Sequence, residues 1–98
     1  IDIEKITPKV ERIKHKFLSP LDLNIVKTLD DLTIYWGAKE ALYKYYGKKE
    51  VLFIENLFIK NYSPNASSFS GIIDISDLKE EIEMAWEKIE DYILVYTF

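Results

Sequence analysis

The segment from Trp36 to Lys44 constrains the fold more than any other part of the chain. It reads Trp-Gly-Ala-Lys-Glu-Ala-Leu-Tyr-Lys, and on a helix with 3.6 residues per turn Trp36, Glu40 and Lys44 lie in one row. Apolar and small residues fall on roughly the opposite side and can pack closely on a sheet: Ile34, Ala38, Ala41 and Tyr45. The charged row is therefore predicted to be free for chemistry.

The chain opens on Ile1-Asp2-Ile3-Glu4, a pattern typical of a strand. Side chains at i and i+2 of a strand share a face, so Asp2 and Glu4 project to one side and the two isoleucines to the other. Carboxylate oxygens suit a hard cation such as magnesium, which binds through a few carboxylates and substrate phosphate. Lys44 adds a mobile positive charge for phosphate. Either segment alone is typical of a solvated surface, but together they predict a site that holds a divalent cation against a pyrophosphate.

These two segments resemble the motifs of the 4'-phosphopantetheinyl transferases. Ile1-Asp2-Ile3-Glu4 is similar to the family's Gly-(Ile/Val)-Asp-(Ile/Leu)-Glu motif without its glycine. Trp36-x-x-Lys39-Glu40-Ala41 is similar to its Trp-x-x-Lys-Glu-Ala motif. The resemblance covers nearly all 98 residues.

The resemblance implies a role for each charged residue of the two motifs. Magnesium would be held by Asp2, Glu4 and Glu40, and coenzyme A, the substrate, would be contacted by Lys44 and Lys39. Glu40 would help to deprotonate the acceptor serine, and Lys44 would stabilise the leaving group. The implied reaction transfers 4'-phosphopantetheine from coenzyme A to a serine of an acyl or peptidyl carrier protein, which is holo-[acyl-carrier-protein] synthase chemistry.

Two details favour the surfactin-type subfamily, whose members contain two similar halves. These are the glutamate at position 4, two residues after Asp2, and the tryptophan at position 36. Residues 1–98 are then expected to form one transferase-like domain, the C-terminal half of an enzyme whose other half, or a second copy, is a partner. The alternatives are a noncatalytic carrier-protein-binding module or an inactive half-enzyme, and a helical scaffold in which the motifs arose by chance.

The composition predicts a soluble folded domain. Hydrophobic residues make up 48% of the chain and aromatic residues 14%, which is ample for a core. No apolar run is long enough to span a membrane and the start does not resemble a signal peptide, so we expect a cytoplasmic protein with no membrane partner. The absence of cysteine excludes disulfides, thiolate chemistry and a zinc-finger site.

The charge is distributed unevenly along the chain. Residues 1–50 contain ten Lys and Arg against eight Asp and Glu, whereas residues 51–98 contain three against nine. A short basic stretch lies after the first strand: Lys9, Arg12, Lys14 and Lys16. It suits anionic partners such as coenzyme A and acidic carrier proteins, and a solvated amphipathic helix is the alternative. Nucleic acid is not an expected partner, because the net charge is −4 and no nucleic-acid motif occurs.

Turn and cap residues predict helices in the first half of the chain. Thr7 is expected to cap a helix that has Pro8 at its first position and ends near Ser19. A short helix then runs from Pro20 to about Leu29. The motif helix should be capped by Asp30 or Asp31 and should end at Gly47.

Strands are predicted in the second half, at 57–62, 69–75 and 92–98, with a polar loop at 63–68. Residues 78–89 are ambiguous, because their apolar positions fit both a helix and an alternating strand. Intrinsic propensity favours a helix, whereas the resemblance favours a strand, since these transferases end in an antiparallel hairpin. We predict the strand, with a turn at Glu90-Asp91. The expected class is α+β, with helices packed on a mostly antiparallel sheet that ends in a β-hairpin.

Overall fold

The computed structural model describes residues 1–47, 50–76 and 78–98. One strand is followed by three α-helices and then by four strands. The elements are β1 (Asp2–Lys5), α1 (Lys9–Ile13), a 3-10 turn (Lys14–Lys16), α2 (Pro20–Ile25), α3 (Leu29–Tyr46), β2 (Leu57–Lys60), β3 (Ser68–Ile75), β4 (Leu78–Ile89) and β5 (Tyr92–Thr97). No helix among these described residues has the length and hydropathy needed to cross a membrane.

The strands form one sheet in the order β1-β5-β4-β3-β2, and every neighbouring pair is antiparallel. Strands β4 and β5 form the C-terminal hairpin, whose turn contains Glu90 with a positive φ of 54°. The predicted α+β class and the hairpin are therefore confirmed. The first strand of the chain lies at the sheet edge beside the last, with Asp2 opposite Val95.

Residues 78–89 form a strand, as predicted, although their propensity favours a helix. Ile82 and Met84 are buried on the face that packs against α3, which we call the inner face, while Glu81 and Glu83 are exposed on the outer face. Strand β4 is hydrogen-bonded to β3 on one side and to β5 on the other. This pairing and burial outweigh the weak helix preference of a glutamate-rich segment.

The first predicted helix is shorter than expected. Helix α1 begins at Lys9 and ends at Ile13, and the chain continues as a 3-10 turn. The prediction that Thr7 caps this helix with Pro8 at its first position was wrong, because the helix begins one residue later and Pro8 is its N-cap. The Thr7 hydroxyl accepts a hydrogen bond from Lys9 N at 3.3 Å. The Lys14 carbonyl accepts from the amides of both Phe17 and Leu18, which closes the turn and buries both apolar side chains.

Helices α2 and α3 each begin with a capping box. Helix α2 begins after Ser19, as predicted, but it ends at Ile25 and does not reach Leu29. The predicted caps of α3 were wrong: Thr28 is the N-cap, and its hydroxyl accepts from Asp31 N at 3.1 Å. Asp31 instead occupies the third helical position, where its carboxylate accepts from Thr28 N at 3.3 Å and completes the reciprocal pair.

Helix α3 ends at Gly47, as predicted, because this residue adopts a left-handed conformation with φ 72°. The helix is covered on two sides. Its side towards the sheet packs in a core that includes Ile34, Ala38, Ala41 and Leu42. Its other side contributes Leu32 and Tyr35 to a second core. The N-terminal segment supplies the other buried residues of that core: Val10, Phe17, Leu18 and Val26.

Tyr45 was wrongly assigned to the apolar stripe of α3. Its side chain is half exposed, and its hydroxyl donates a hydrogen bond to Glu80 at 2.7 Å. The position lies in the last turn of α3, after Leu42, the last fully buried residue of the helix. The other three predicted stripe residues are buried in the core.

Lys39 is the most deeply buried charged residue, with 1% of its surface exposed. Its ammonium donates to three oxygens: Phe17 O at 2.6 Å, Phe53 O at 3.0 Å and Asp22 Oδ2 at 3.3 Å. An ammonium has three donors, so all of them are used. Burial lowers the pKa of Lys39, and the Asp22 carboxylate opposes that effect. Lys39 thereby ties α3 to the 3-10 turn, to α2 and to the segment before β2.

We predict that Lys39→Met destabilises the chain by about 3 kcal/mol, because a partly buried carboxylate and two carbonyls lose their donor while the side-chain volume is kept. Urea denaturation measures the change. The matched control is Lys60→Met, which removes a surface pair with Glu81 at 3.5 Å and should cost less than about 0.5 kcal/mol. Equal effects of the two substitutions would contradict the anchoring role of Lys39.

Candidate active site

Gly37 allows α3 to approach the edge of the sheet closely. A Cβ at this position would lie 3.0 Å from Val95 Cγ2, 3.4 Å from Asp2 Oδ2 and 3.7 Å from Glu4 Cγ. Glycine costs about 1 kcal/mol relative to alanine inside a helix, so its presence here indicates a contact that needs the space. The close approach brings the charged row of α3 beside the two carboxylates of β1.

Asp2 lies on the inner face of β1 and is 5% exposed. Lys44 Nζ donates to its Oδ1 at 2.7 Å. Its Oδ2 is buried, and no N–H group or alcohol hydroxyl of the described residues donates to it. The described group that can share a proton with Asp2 is the carboxyl of Glu4. A buried carboxylate oxygen without a donor is unfavourable, so a cation bound to the Asp2 carboxylate would be favourable here.

Glu4 lies two residues further along β1, and its pKa is raised to about 8. Burial is the largest cause, followed by the hydrogen bond to Asp2 and the negative charge of Asp2, with a further contribution from Glu40. A hydrogen bond between two carboxyl groups requires a proton, so it favours the neutral form. The side chain of Trp36 acts in the opposite direction, because its hydrogen bond to Glu4 stabilises the ionised form.

Glu40 completes the acidic cluster from the helix. Its pKa is raised by burial and by the negative charge of Asp2, while Lys44 lowers it. In turn, the pKa of Lys44 is raised by its hydrogen bond to Asp2 and by the charge of that carboxylate. The structure therefore brings together Asp2, Glu4, Glu40 and Lys44, and their charges are mutually coupled.

Lys39 lies apart from this cluster although it directly precedes Glu40. Successive helical positions point about 100° apart, so Lys39 faces the N-terminal helices while Glu40 faces β1. We expect Lys39 to stabilise the fold and not to contact coenzyme A, because its three donors already bind protein oxygens.

A cleft of about 200 Å³ opens beside Glu4, between β1, α1 and α3. Its rim carries the basic residues Lys5 and Lys9, and apolar side chains contribute to its wall: Val10, Ile13 and Trp36. The cleft combines positive charge with an apolar wall next to the acidic cluster. It can therefore accept part of an anionic organic molecule.

Trp36 is fixed by aromatic contacts on two sides. Its ring centroid lies 5.0 Å from that of Phe17 and 5.7 Å from that of Phe53. The indole links the N-terminal core to Glu4, so Trp36 has a structural role and a role at the site. The spacing of Trp36 and Glu40 on the helix predicted their proximity, whereas the role of Gly37 could be detected only as a glycine inside a helix.

A sequence profile of the 4'-phosphopantetheinyl transferase superfamily matches residues 1–97. The chain belongs to this superfamily. Neither the search of curated proteins nor the search of solved structures finds a match. Membership of the 4'-phosphopantetheinyl transferase superfamily indicates phosphopantetheine transfer with coenzyme A as the donor, and the match includes both motifs that contribute to the acidic cluster.

A typical metal of the phosphopantetheinyl transferases is magnesium, and the donor set fits it chemically. Asp2, Glu4 and Glu40 supply only carboxylate oxygens, one of these oxygens is buried without a donor, and a cation would relieve their repulsion. Within residues 1–47, 50–76 and 78–98, however, no three acidic, histidine or cysteine side chains already form a group that could hold a metal ion. The carboxylates are close enough to influence one another, but they are not arranged as a ready cage.

We predict that Glu4 makes the metal-free transferase less stable as the pH rises. Its pKa in the folded protein, about 8, exceeds the ordinary value of 4.5, so between these values the folded state binds more protons than the unfolded state. Stability is then lost from about pH 4.5 to 8. Thermal melts in chelator should show this decline.

Glu4→Gln should make the decline shallower, because glutamine cannot titrate. The matched control is Glu87→Gln, an exposed position on the outer face, which should keep the wild-type slope. A wild-type slope in Glu4→Gln would rule out Glu4 as its source.

Proposed function

We propose that this chain transfers 4'-phosphopantetheine from coenzyme A to a serine of an acyl or peptidyl carrier protein, with magnesium bound by Asp2, Glu4 and Glu40. The observation that supports this most is the position of Asp2. It is a buried carboxylate with an unsatisfied oxygen, it pairs with Lys44, and it lies in a motif of a phosphopantetheinyl transferase.

The proposed reaction is a displacement at phosphorus. The serine oxygen forms a bond to the phosphorus that carries pantetheine, the bond from that phosphorus to the bridging oxygen breaks, and 3',5'-adenosine bisphosphate leaves. Bound magnesium would neutralise the pyrophosphate and the charge that develops on the leaving phosphate. The serine proton passes to Glu40 directly or through water.

Glu40 suits the role of base because burial and the charge of Asp2 raise its pKa, and a more basic carboxylate accepts a proton more readily. Metal binding would weaken that basicity, so the ligand role has the stronger support. Lys44 suits the leaving group, since 55% of its side chain is exposed and its flexible stem can turn the ammonium towards a phosphate.

The basic stretch after β1 supports an anionic partner. Lys9, Arg12 and Lys16 are exposed on and after α1, and Lys9 also lines the cleft beside Glu4. This continuity between a basic surface and the acidic cluster fits both coenzyme A and an acidic carrier protein. Electrostatic attraction would raise the rate at which either one is encountered.

A noncatalytic carrier-binding module, or an inactive half-enzyme, is the second candidate. It is favoured by the lack of a ready cage for a metal among the described residues and by the ion pair that already holds Asp2. The two candidate functions predict different outcomes when the chain is mixed with apo carrier protein and coenzyme A. The catalytic chain forms holo carrier protein from coenzyme A, whereas a binding module retains the carrier without modifying it.

The first test of the catalytic proposal is Asp2→Asn, which keeps the side-chain shape and removes the charge. We expect kcat/KM for transfer to purified apo carrier proteins to fall by about 100-fold or more, because charge stabilisation at the reacting phosphate is lost. Mass spectrometry of the carrier measures the transfer. The control is Asp30→Asn, which breaks a surface pair with Lys88 and should leave the rate unchanged. Wild-type turnover in Asp2→Asn would show that Asp2 is not part of the active site.

We further propose that the chain is the C-terminal half of a surfactin-type enzyme and that the outer face of β1 and the β4–β5 hairpin meets the other half or a second copy. This face exposes large apolar side chains: Ile3, Ile89 and Tyr92. Exposed apolar patches of this kind are typical of protein interfaces.

The purified chain should therefore self-associate, and Ile3→Glu should make it monomeric, because the glutamate would be buried unpaired. Analytical ultracentrifugation over a range of concentrations measures this. The control is Leu21→Glu, an equally exposed position on α2, which should leave self-association unchanged. A stable wild-type monomer with full transferase activity would contradict both the interface and the half-enzyme proposal.

A further inference from the structure

The ion pair between Lys44 and Asp2 joins an exposed group to a buried one. The Lys44 side chain is 55% exposed and the Asp2 side chain only 4%, and Nζ lies 2.7 Å from Oδ1. In the part of the chain that the structure describes, Lys44 is the one cationic side chain within salt-bridge distance of Asp2. The charge of a buried carboxylate is thus balanced by an ammonium on a mobile stem.

The two oxygens of Asp2 differ in their partners. Oδ2 is fully buried, has no donor and faces Gly37, since a Cβ built on that glycine would lie 3.4 Å away. Oδ1 accepts a hydrogen bond from the ammonium of Lys44, whose side chain is more than half exposed. A cation that binds Oδ1 would therefore meet the oxygen that Lys44 already holds.

We propose that Lys44 is an internal counter-ion of Asp2, that a divalent cation must displace it from this carboxylate, and that its displacement releases the ammonium for an anionic substrate. This inference rests on the proposed cation site of the transferase. It adds a role for Lys44 in the free protein, before any phosphate is bound.

The pairing of Lys44 with Asp2 explains why the described residues form no ready metal cage. With its ammonium on Oδ1, Lys44 supplies the charge that a cation would otherwise supply, so the carboxylates do not need to converge on an ion. Two positive groups on the same carboxylate would repel each other. Cation and ammonium are therefore alternatives at Asp2.

Displacement of Lys44 from Asp2 would also couple cation binding to anion binding. While Lys44 pairs with Asp2, one of its three donors and part of its charge are engaged by that carboxylate, which weakens its attraction for a phosphate. A cation that displaces it favours anion binding, and by linkage a bound anion that engages Lys44 favours cation binding. This coupling adds to any direct attraction between the cation and the phosphate.

The test is calorimetric titration of the full chain with MnCl2 in the absence of coenzyme A. Lys44→Met removes the charge and keeps the length of the side chain. If Lys44 competes with the cation, this variant should bind Mn²⁺ about 5-fold more tightly than the wild type. The substitution also removes a proposed phosphate contact, but no phosphate is present in this titration. Lys44→Arg keeps the competing charge and should bind Mn²⁺ with an affinity closer to that of the wild type.

Lys60→Met is the matched control, because Lys60 is as exposed as Lys44 and its pair with Glu81 lies at the surface. Its Mn²⁺ affinity should equal that of the wild type, and circular dichroism should show that all variants are folded. Equal or weaker Mn²⁺ binding by Lys44→Met would overturn the counter-ion role and leave the proposed cation site standing. Failure of both the wild type and Lys44→Met to bind Mn²⁺ would overturn the cation site itself, and the counter-ion role with it.

A second measurement covers the case in which Lys44→Met is poorly folded. The side-chain ammonium of Lys44 in the wild type can be observed by NMR with ¹⁵N-labelled lysine, and its hydrogen exchange is slow while it donates to a buried carboxylate. Addition of MgCl2 alone should speed that exchange and leave the Lys39 ammonium unchanged, because Lys39 is buried and fully hydrogen-bonded. Unchanged exchange at Lys44 under saturating MgCl2 would overturn the proposal.

Discussion

Helix α3 crosses the inner face of the sheet in direct contact, and the arrangement of the charged site depends on this contact. Gly37 of the helix lies over Val95, where a Cβ would come within 3.0 Å of a methyl group. Gly71 of β3 lies under Leu42, where a Cβ would come within 2.8 Å of the leucine. The two glycines leave room for this close crossing, and on the β1 side Lys44 Nζ lies 2.7 Å from Asp2 Oδ1.

Two neighbouring residues of α3 point in different directions and have opposite roles. Lys39 donates to oxygens of the N-terminal helices and of the segment before β2, whereas Glu40 shares the electrostatic environment of Asp2. A positive charge is thus buried on one side of the helix and negative charges lie on the other. Any rotation would break the hydrogen bonds of Lys39, so this anchor also holds Glu40 in the acidic cluster.

The acidic cluster works against the stability of the metal-free protein. Burial and mutual repulsion raise the pKa values of Glu4 and Glu40, and one oxygen of Asp2 is buried without a donor. Such unfavourable groups are typical of functional sites, where a ligand relieves them. The superfamily indicates phosphopantetheine transfer, and a cluster of this charge fits the cation site proposed above.

The sequence by itself determined the two motifs, the superfamily, the start of α2 and the end of α3, because periodicity and turn chemistry are local properties. It also predicted four charged site residues, and the roles of Asp2, Glu4, Glu40 and Lys44 stay predictions. Only the tertiary structure decided that Lys39 is an anchor, that Tyr45 is half exposed, that Thr28 caps α3 and that Lys44 pairs with Asp2. Local propensity also did not decide whether residues 78–89 form a helix or a strand. Pairing with two neighbouring strands makes this segment a strand. These outcomes depend on which elements pack on each side of a helix or strand, and those contacts join residues far apart in the chain.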